Sequence, residues 1–196
     1  AQPSGRQHFV ILDIGAGTTD VAGCVCVKGK GQNRAKVWEI QSARDAKNLA
    51  GNAIDNALQK FILERSSLAK GSTEYYQAER ALRRTIRAEK ETLFSTGEAL
   101  VELVTDELVD VSLDDFRSDP MVEKIFSSIK EMVTKAAFAI RENNAKVYLV
   151  PTGGGASLPL IAELVSEPLL NGDQRVKLEL SDAMPEQLKA VYPEIE

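Results

Sequence analysis

Two glycine-bearing segments carry most of the chemistry this sequence offers. The first is Asp13-Ile14-Gly15-Ala16-Gly17-Thr18-Thr19-Asp20, set between two apolar runs. Glycine reaches positive φ and leaves no Cβ between a phosphate and the backbone N–H groups. Asp13, at the end of a predicted strand, suits a hydrated Mg²⁺, an ion that keeps several waters and takes few carboxylates. The hydroxyls of Thr18 and Thr19 can donate to phosphate oxygens. The same glycines would also serve a tight hairpin with no ligand, and the residues alone leave both readings open. Two other phosphate-binding patterns are excluded. A dinucleotide fingerprint needs a third glycine and a following helix, whereas Asp20 and a strand follow here. The Gly-Lys-Ser/Thr ending of an ATP-binding P-loop is absent.

The second segment, Thr152-Gly153-Gly154-Gly155-Ala156-Ser157-Leu158-Pro159, runs from a predicted strand into a predicted helix. Successive glycines let a flat group lie against bare backbone, and a helix N-terminus favours an anion. Ser157 is the expected N-cap, and a strand-to-helix loop often needs only a glycine and a cap. Together the two loops, at opposite ends of one α/β unit, point to a split nucleotide site. Other reactive residues are few. The one histidine, His8, all but excludes a His-rich metal site and reads as a surface residue. Cys24 and Cys26 read as small core residues, since zinc would need two more ligands and a disulfide framework more cysteines. Trp38 reads as core.

The elements that must position these loops follow from periodicity and turn chemistry. Phe9–Asp13, Val21–Lys28 and Val37–Ser42 read as strands, with a turn at Lys28–Asn33. Asn48 is the expected cap of a helix bearing Leu49, Ile54, Leu58, Phe61 and Ile62. A second helix covers Glu74–Phe94, with Arg80, Arg83, Arg84, Arg87 and Lys90 on its polar face. Ala99–Val104 and Leu108–Leu113 form a predicted hairpin. Asp119-Pro120 opens the longest helix, proline taking its first position, and Glu142-Asn143-Asn144 ends it. Val147–Val150 and Val176–Leu180 are further strands, Leu158–Val165 is a short helix, and Pro185 starts a terminal one. The expected organisation is a discontinuous α/β core, residues 1–48 and 112–196, with a mainly helical insertion and its hairpin at 49–111.

Composition sets the outer bounds. The chain has 196 residues, is 43% hydrophobic and 27% charged, and carries a net charge of −5. That is a globular composition, and it excludes a basic domain held to nucleic acid by bulk charge. No apolar run approaches the ~18 residues of a membrane span, and Ala1–Arg6 has no signal-peptide character. A cytoplasmic protein with neither a membrane nor a nucleic-acid partner is expected.

Four segments, in order, resemble the seventy-kilodalton heat-shock chaperones of the actin-like ATPase superfamily. Val10–Val21 is similar to that family's second phosphate loop, Asp-Leu-Gly-Gly-Gly-Thr-Phe-Asp-Val. Ala50-Gly51-Asn52-Ala53-Ile54-Asp55-Asn56 is similar to Gly-Gly-Glu-Asp-Phe-Asp-Asn. Leu82–Ser95, with Lys90-Glu91-Thr92-Leu93, resembles the adenosine-contacting helix, and Tyr148–Pro159 the adenosine loop Val-Gly-Gly-Ser-Thr-Arg-Ile-Pro. The resemblance implies an actin-like (ribonuclease H-like) lobe, a mixed sheet flanked by helices with an inserted helical and hairpin subdomain. It implies ATP or ADP as ligand and Mg²⁺ held through water by Asp13. Asp13 and Thr18 are then the catalytic candidates. Gly15, Ala16, Gly17 and Thr19 would line the phosphates, Lys90 would reach the ribose, and Gly153, Gly154, Gly155 and Ser157 would receive the adenosine.

The departures are specific. Two family arginines that sandwich the adenine fall at Glu91 and Ser157, and a family serine falls at Phe94. The first phosphate loop and catalytic lysine of the family's other lobe are not in the sequence, so the chain is expected to be the second lobe alone, its first partner the missing first lobe. A nucleotide-exchange or co-chaperone protein at 49–111 is implied by resemblance. Two alternatives stand beside the ATPase lobe: a degenerate interaction module without hydrolysis, and a lobe of an actin-like filament-forming protein.

Overall fold

The computed structural model describes residues 5–27, 36–142 and 145–181. The expected turn at Lys28–Asn33, the helix end at Asn143-Asn144 and the terminal helix from Pro185 lie outside them. The chain divides into two compact units, residues 1–51 with 127–196, and residues 52–126.

In the first unit a five-stranded mixed sheet is built from β1 (Arg6–Ile14), β2 (Thr19–Val27), β3 (Lys36–Lys47), β6 (Val147–Thr152) and β9 (Leu178–Leu180). Their spatial order is β3-β2-β1-β6-β9. The first three strands pair antiparallel, whereas β1–β6 and β6–β9 are parallel. Alternation decides which face is covered. Val10, Leu12 and Ile14 of β1 and Val147 and Leu149 of β6 are buried on one side, while Ile11 and Asp13 of β1 are exposed on the other. A helix, α4 (Pro120–Ile140), enters this unit from Ser127 onward, its apolar residues Ile129, Met132, Val133, Ala136, Ala137 and Ile140 recurring at helical spacing and all buried. Its last turn lies close on the sheet: a Cβ at Gly23 would come within 2.5 Å of Ile140 Cγ2 and of Ala43 Cβ. Helix α5 (Pro159–Ser166) packs against β9, and a short hairpin, β7 (Leu169–Asn171) with β8 (Gln174–Val176), precedes β9. The expected strand Val176–Leu180 is therefore two pieces. This is a mixed sheet flanked by helices, consistent with an actin-like ATPase lobe.

Two expectations about burial fail in this unit. His8 is buried, 1% exposed, rather than at the surface, with Nε2 3.8 Å from Glu142 Oε1. The Arg6 guanidinium, 2.7 Å from the same oxygen, holds the Glu142 carboxyl below its usual range. Trp38 is 48% exposed on the edge strand β3 rather than in the core. Cys24 is buried and Cys26 half-buried, both as free thiols, and burial pushes the Cys24 thiol up.

The second unit contains α1 (Gly51–Arg65) from Asn52 on, α2 (Thr73–Thr96), the hairpin β4 (Glu98–Glu102) and β5 (Leu108–Ser112), the short helix α3 (Leu113–Arg117), and the first turns of α4. Local chemistry explains most of its boundaries. Ser72 Oγ accepts from the Tyr75 N–H and caps α2; Gly97, at φ 84°, ends it by donating to Leu93 O. Ser112 caps α3 through the Asp115 N–H, and Asp119 Oδ1 accepts from Met121 at the start of α4. Helix α1 starts at Gly51 rather than after a cap at Asn48: the Gly51 N–H donates to Gly15 O at 3.1 Å instead. Among the described residues no helix is long and apolar enough to cross a membrane.

Candidate functional site

Parallel pairing of β1 with β6 aligns Asp13 with Thr152, so both glycine loops leave the sheet at the carboxyl ends of neighbouring strands. Ligands of open α/β sheets bind at such ends. The second loop is anchored to the first. The Gly155 N–H donates to Ile14 O at 2.9 Å, and a Cβ at Gly155 would sit 2.7 Å from Ile14 Cβ. Gly153 is at φ 76°, and a Cβ there would meet Asp13 Oδ1 and stand 2.6 Å from Ile14 O. These two glycines are therefore required by close packing of the loops. Gly17 and Gly154 are different: both are exposed, and a Cβ on either would meet nothing within 4 Å. The N–H groups of Ala16, Gly17 and Gly154 donate to no backbone carbonyl among the described residues. They leave bare backbone in open space, which is what an incoming oxyanion or flat ring needs.

The first loop is a turn closed by the Gly15 N–H on Thr18 O at 2.9 Å. It separates the two threonines. Thr18 is exposed, but Thr19 is fully buried and its Oγ1 donates to Leu49 O at 2.6 Å, tying β2 to the entry of α1. Across the hairpin Asp13 is directly opposite Asp20, and both are exposed. Asp20 is the residue that reasoning on glycines passed over, although counting outward from the Gly15–Thr18 turn places it beside Asp13. Among the described residues no group of three or more His, Cys, Asp or Glu could hold a metal ion. Two exposed carboxylates next to bare backbone fit a Mg²⁺ that arrives with its own waters and phosphates, not a dedicated protein cage.

Ser157 is exposed but does not cap α5. The N-cap is Leu158, extended and without a side-chain cap bond, with Pro159 in the first helical position. In the second unit, Lys90 Nζ is 2.6 Å from Asp55 Oδ1, with the two side chains 14% and 19% exposed. Lys90 is thus no solvated bystander; it joins α2 to α1. Glu91 is exposed and paired to Arg87 at 3.0 Å. Phe94 is half-buried, its ring centroid 6.4 Å from that of the fully buried Phe116. A double-mutant cycle measures the ion pair. Lys90→Met is expected to cost about 1–2 kcal/mol more in the parent than in an Asp55→Asn background. Equal costs in urea titrations of both backgrounds would show that the pair contributes nothing.

No family model matches the chain. It is 28% identical over 180 residues to a heat shock 70 kDa protein of Ajellomyces capsulatus, covering 87% of this chain and 24% of that one. A heat shock 70 kDa protein of Penicillium citrinum is 26% identical over 171 residues, 83% of this chain and 32% of its own. A chaperone protein HscA homolog of Methylibium petroleiphilum is 26% identical over 182 residues, 87% and 27% respectively. The chain spans between about a quarter and a third of the length of these relatives.

Proposed function

We propose that the chain is the nucleotide-holding second lobe of a divergent chaperone ATPase, contributing a phosphate loop and an adenosine loop to an ATP or ADP site. The observation that carries this reading is the parallel β1–β6 pairing, which aligns Asp13 with Thr152 and brings the two glycine loops, with exposed backbone at Gly17 and Gly154, off neighbouring strand ends. Heat-shock chaperone relatives over most of the chain support it.

In this reading Asp13 and Asp20 orient waters of a nucleotide-borne Mg²⁺, which supplies charge neutralisation at the phosphates. The Ala16 and Gly17 N–H groups and the Thr18 hydroxyl take phosphate oxygens. Thr19 is left out of the contact set, because its hydroxyl already serves Leu49 O. Gly154 takes the flat face of the base, while Gly153 and Gly155 hold the loop against Ile14. The chaperone resemblance also assigns a ribose contact to Lys90, whose ammonium is held here in its pair with Asp55. The catalytic groups of a first lobe, the inserted 49–111 region as a subdomain meeting a nucleotide-exchange or co-chaperone protein, and a cytoplasmic location belong to the same proposal.

The test is calorimetric titration of the full natural protein with ATP, with and without Mg²⁺. Asp13 is exposed, so Asp13→Asn should fold normally, yet weaken Mg-ATP by about tenfold, ~1.4 kcal/mol. Affinity that ignores both Mg²⁺ and Asp13→Asn would overturn the assignment. One set of observations favours a second reading, a decayed, non-hydrolysing module. Where the chaperones sandwich adenine between arginines, this chain has Glu91, paired to Arg87, and the exposed Ser157, and Phe94 is engaged with Phe116. No detectable nucleotide binding by the intact protein would select it.

A further inference from the structure

An open cleft of about 430 Å³ lies at the amino ends of β6 and β9, the end of the sheet away from the two glycine loops. The six residues of β6 separate the two ends by roughly 17 Å. Four cations line this cleft in a chain whose net charge is −5. Arg141 and Lys146 come from the connection between α4 and β6, and Arg175 and Lys177 from the segment that runs from β8 into β9. Two carboxylates line it too, but both are already committed. Glu142 is held at 2.7 Å by Arg6, which does not line the cleft, and Glu179 pairs with Lys146 at 2.9 Å. Asp173, at the turn between β7 and β8, is outside the lining. Arg141, Arg175 and Lys177 make no ion pair among the described residues, so three positive charges are left over in one concavity. Such a cleft concentrates a counter-charge from solution.

Arg141 is also held ready for a ligand. Its Nη1 donates to Arg175 O at 3.1 Å, and its guanidinium stands 5.0 Å from the Phe138 ring centroid. That fixes the planar fork while using one of its five N–H donors. The lining then narrows the ligand. The volume is that of a small-molecule site and exceeds what a single phosphate fills. No aromatic side chain lines it, and its one buried apolar residue is Val176, so neither a nucleobase nor an acyl chain has a surface to lie on. We propose that this cleft binds a compact oligophosphate, its phosphates spread over Arg141, Arg175 and Lys177. None of these residues belongs to either glycine loop, so the cleft stands or falls apart from the nucleotide reading.

The experiment is calorimetric titration of the whole chain with sodium tripolyphosphate, in EDTA so that no Mg²⁺ draws phosphate to Asp13. One saturable site is expected, weakening as salt is raised. Arg175→Gln with Lys177→Gln should lower affinity at least about tenfold, because two charge-assisted contacts are lost. Arg141→Lys keeps the charge but not the fork, and should lower it about threefold. Arg175 and Lys177 are exposed, so the melting temperature without phosphate should stay at the parent value. Arg80→Gln with Arg84→Gln on α2 changes the net charge equally and should leave binding intact, as should Asp13→Asn. Flotation with phosphatidylcholine vesicles carrying phosphatidylinositol bisphosphate separates the sources of the phosphate. Flotation that the Arg175 and Lys177 variant loses assigns a lipid headgroup, and tripolyphosphate binding without flotation assigns a free oligophosphate; either supports the cleft. Binding of neither probe at millimolar concentration would overturn the proposal. So would an equal loss in the α2 control, a loss in Asp13→Asn, or a short RNA that binds more tightly through the same residues.

Discussion

Phe116→Ala is expected to cost about 3–5 kcal/mol, the range for truncating a fully buried aromatic ring. Phe116 is 0% exposed. Its ring meets Phe61 edge-on at 5.3 Å and Phe94 at 6.4 Å, and the Arg65 guanidinium lies 3.6 Å over Phe61. The substitution therefore opens a cavity bordered by α1, α2 and α3 together, and no single helix can move in to refill it. Two further features enlarge the loss. The unit spans only residues 52–126, a size at which one hydrophobic core supplies little surplus stability. Phe116 also sits on a short helix of five residues, Leu113–Arg117, whose Ser112 cap is worth only about 1 kcal/mol. Thermal unfolding should move down by roughly 6–20 °C for a chain of this length. Phe116→Leu, which keeps most of the volume, should cost less than about 1.5 kcal/mol. A melting temperature within about 2 °C of the parent for Phe116→Ala would show that the aromatic cluster does not hold this unit together.

That cluster also shows how far the sequence can be read. The apolar stripe of α4, the hairpin around Thr105-Asp106-Glu107 and the proline opening at Pro120 follow from spacing and turn residues, and the structure has them where local chemistry puts them. The failures have a common cause, a long-range or steric preference with no local signature. Ser157 looks like a cap, but Pro159 forces the residue before it out of the helical region, and Leu158 accordingly takes ψ 142°. Asn48 looks like a cap too, yet the backbone N–H that starts α1 is used on Gly15, whose sequence distance gives no hint. His8 reads as a surface residue until the chain end of α4 brings Glu142 beside it. Trp38 is apolar on an edge strand, where alternation does not say which residues have a covering layer. For the candidate site, the glycines and Asp13 were legible because their residue types are rare in combination. Their juxtaposition was not, because it depends on the register of two strands that are distant in sequence.

Within the triple glycine, neighbouring positions are expected to respond oppositely to the same methyl group. Gly153→Ala should cost about 2–4 kcal/mol. Of that, the left-handed conformation of an L-residue accounts for about 1–2 kcal/mol, and the remainder comes from contact with fixed backbone. Gly153 is at φ 76°, and the added Cβ would stand 2.6 Å from Ile14 O while also meeting Asp13 Oδ1. A carbonyl of β1 cannot yield without breaking the strand pairing, so the loop must move away. Gly154→Ala faces no such obstacle: it lies outside the positive-φ region and nothing is within 4 Å of its Cβ. Its stability should stay within about 0.5 kcal/mol of the parent. If Gly154 receives the base on bare backbone, however, the methyl group occupies the surface where the ring must lie, and nucleotide affinity should fall about tenfold. The pair thus separates a glycine kept for packing from one kept for a ligand. Urea titration of both variants, with nucleotide titration of the stable one, decides the matter. A Gly154→Ala protein that is stable and binds nucleotide as tightly as the parent would remove this loop from the site, whereas a stable Gly153→Ala protein would show that the two loops are not locked together at Ile14.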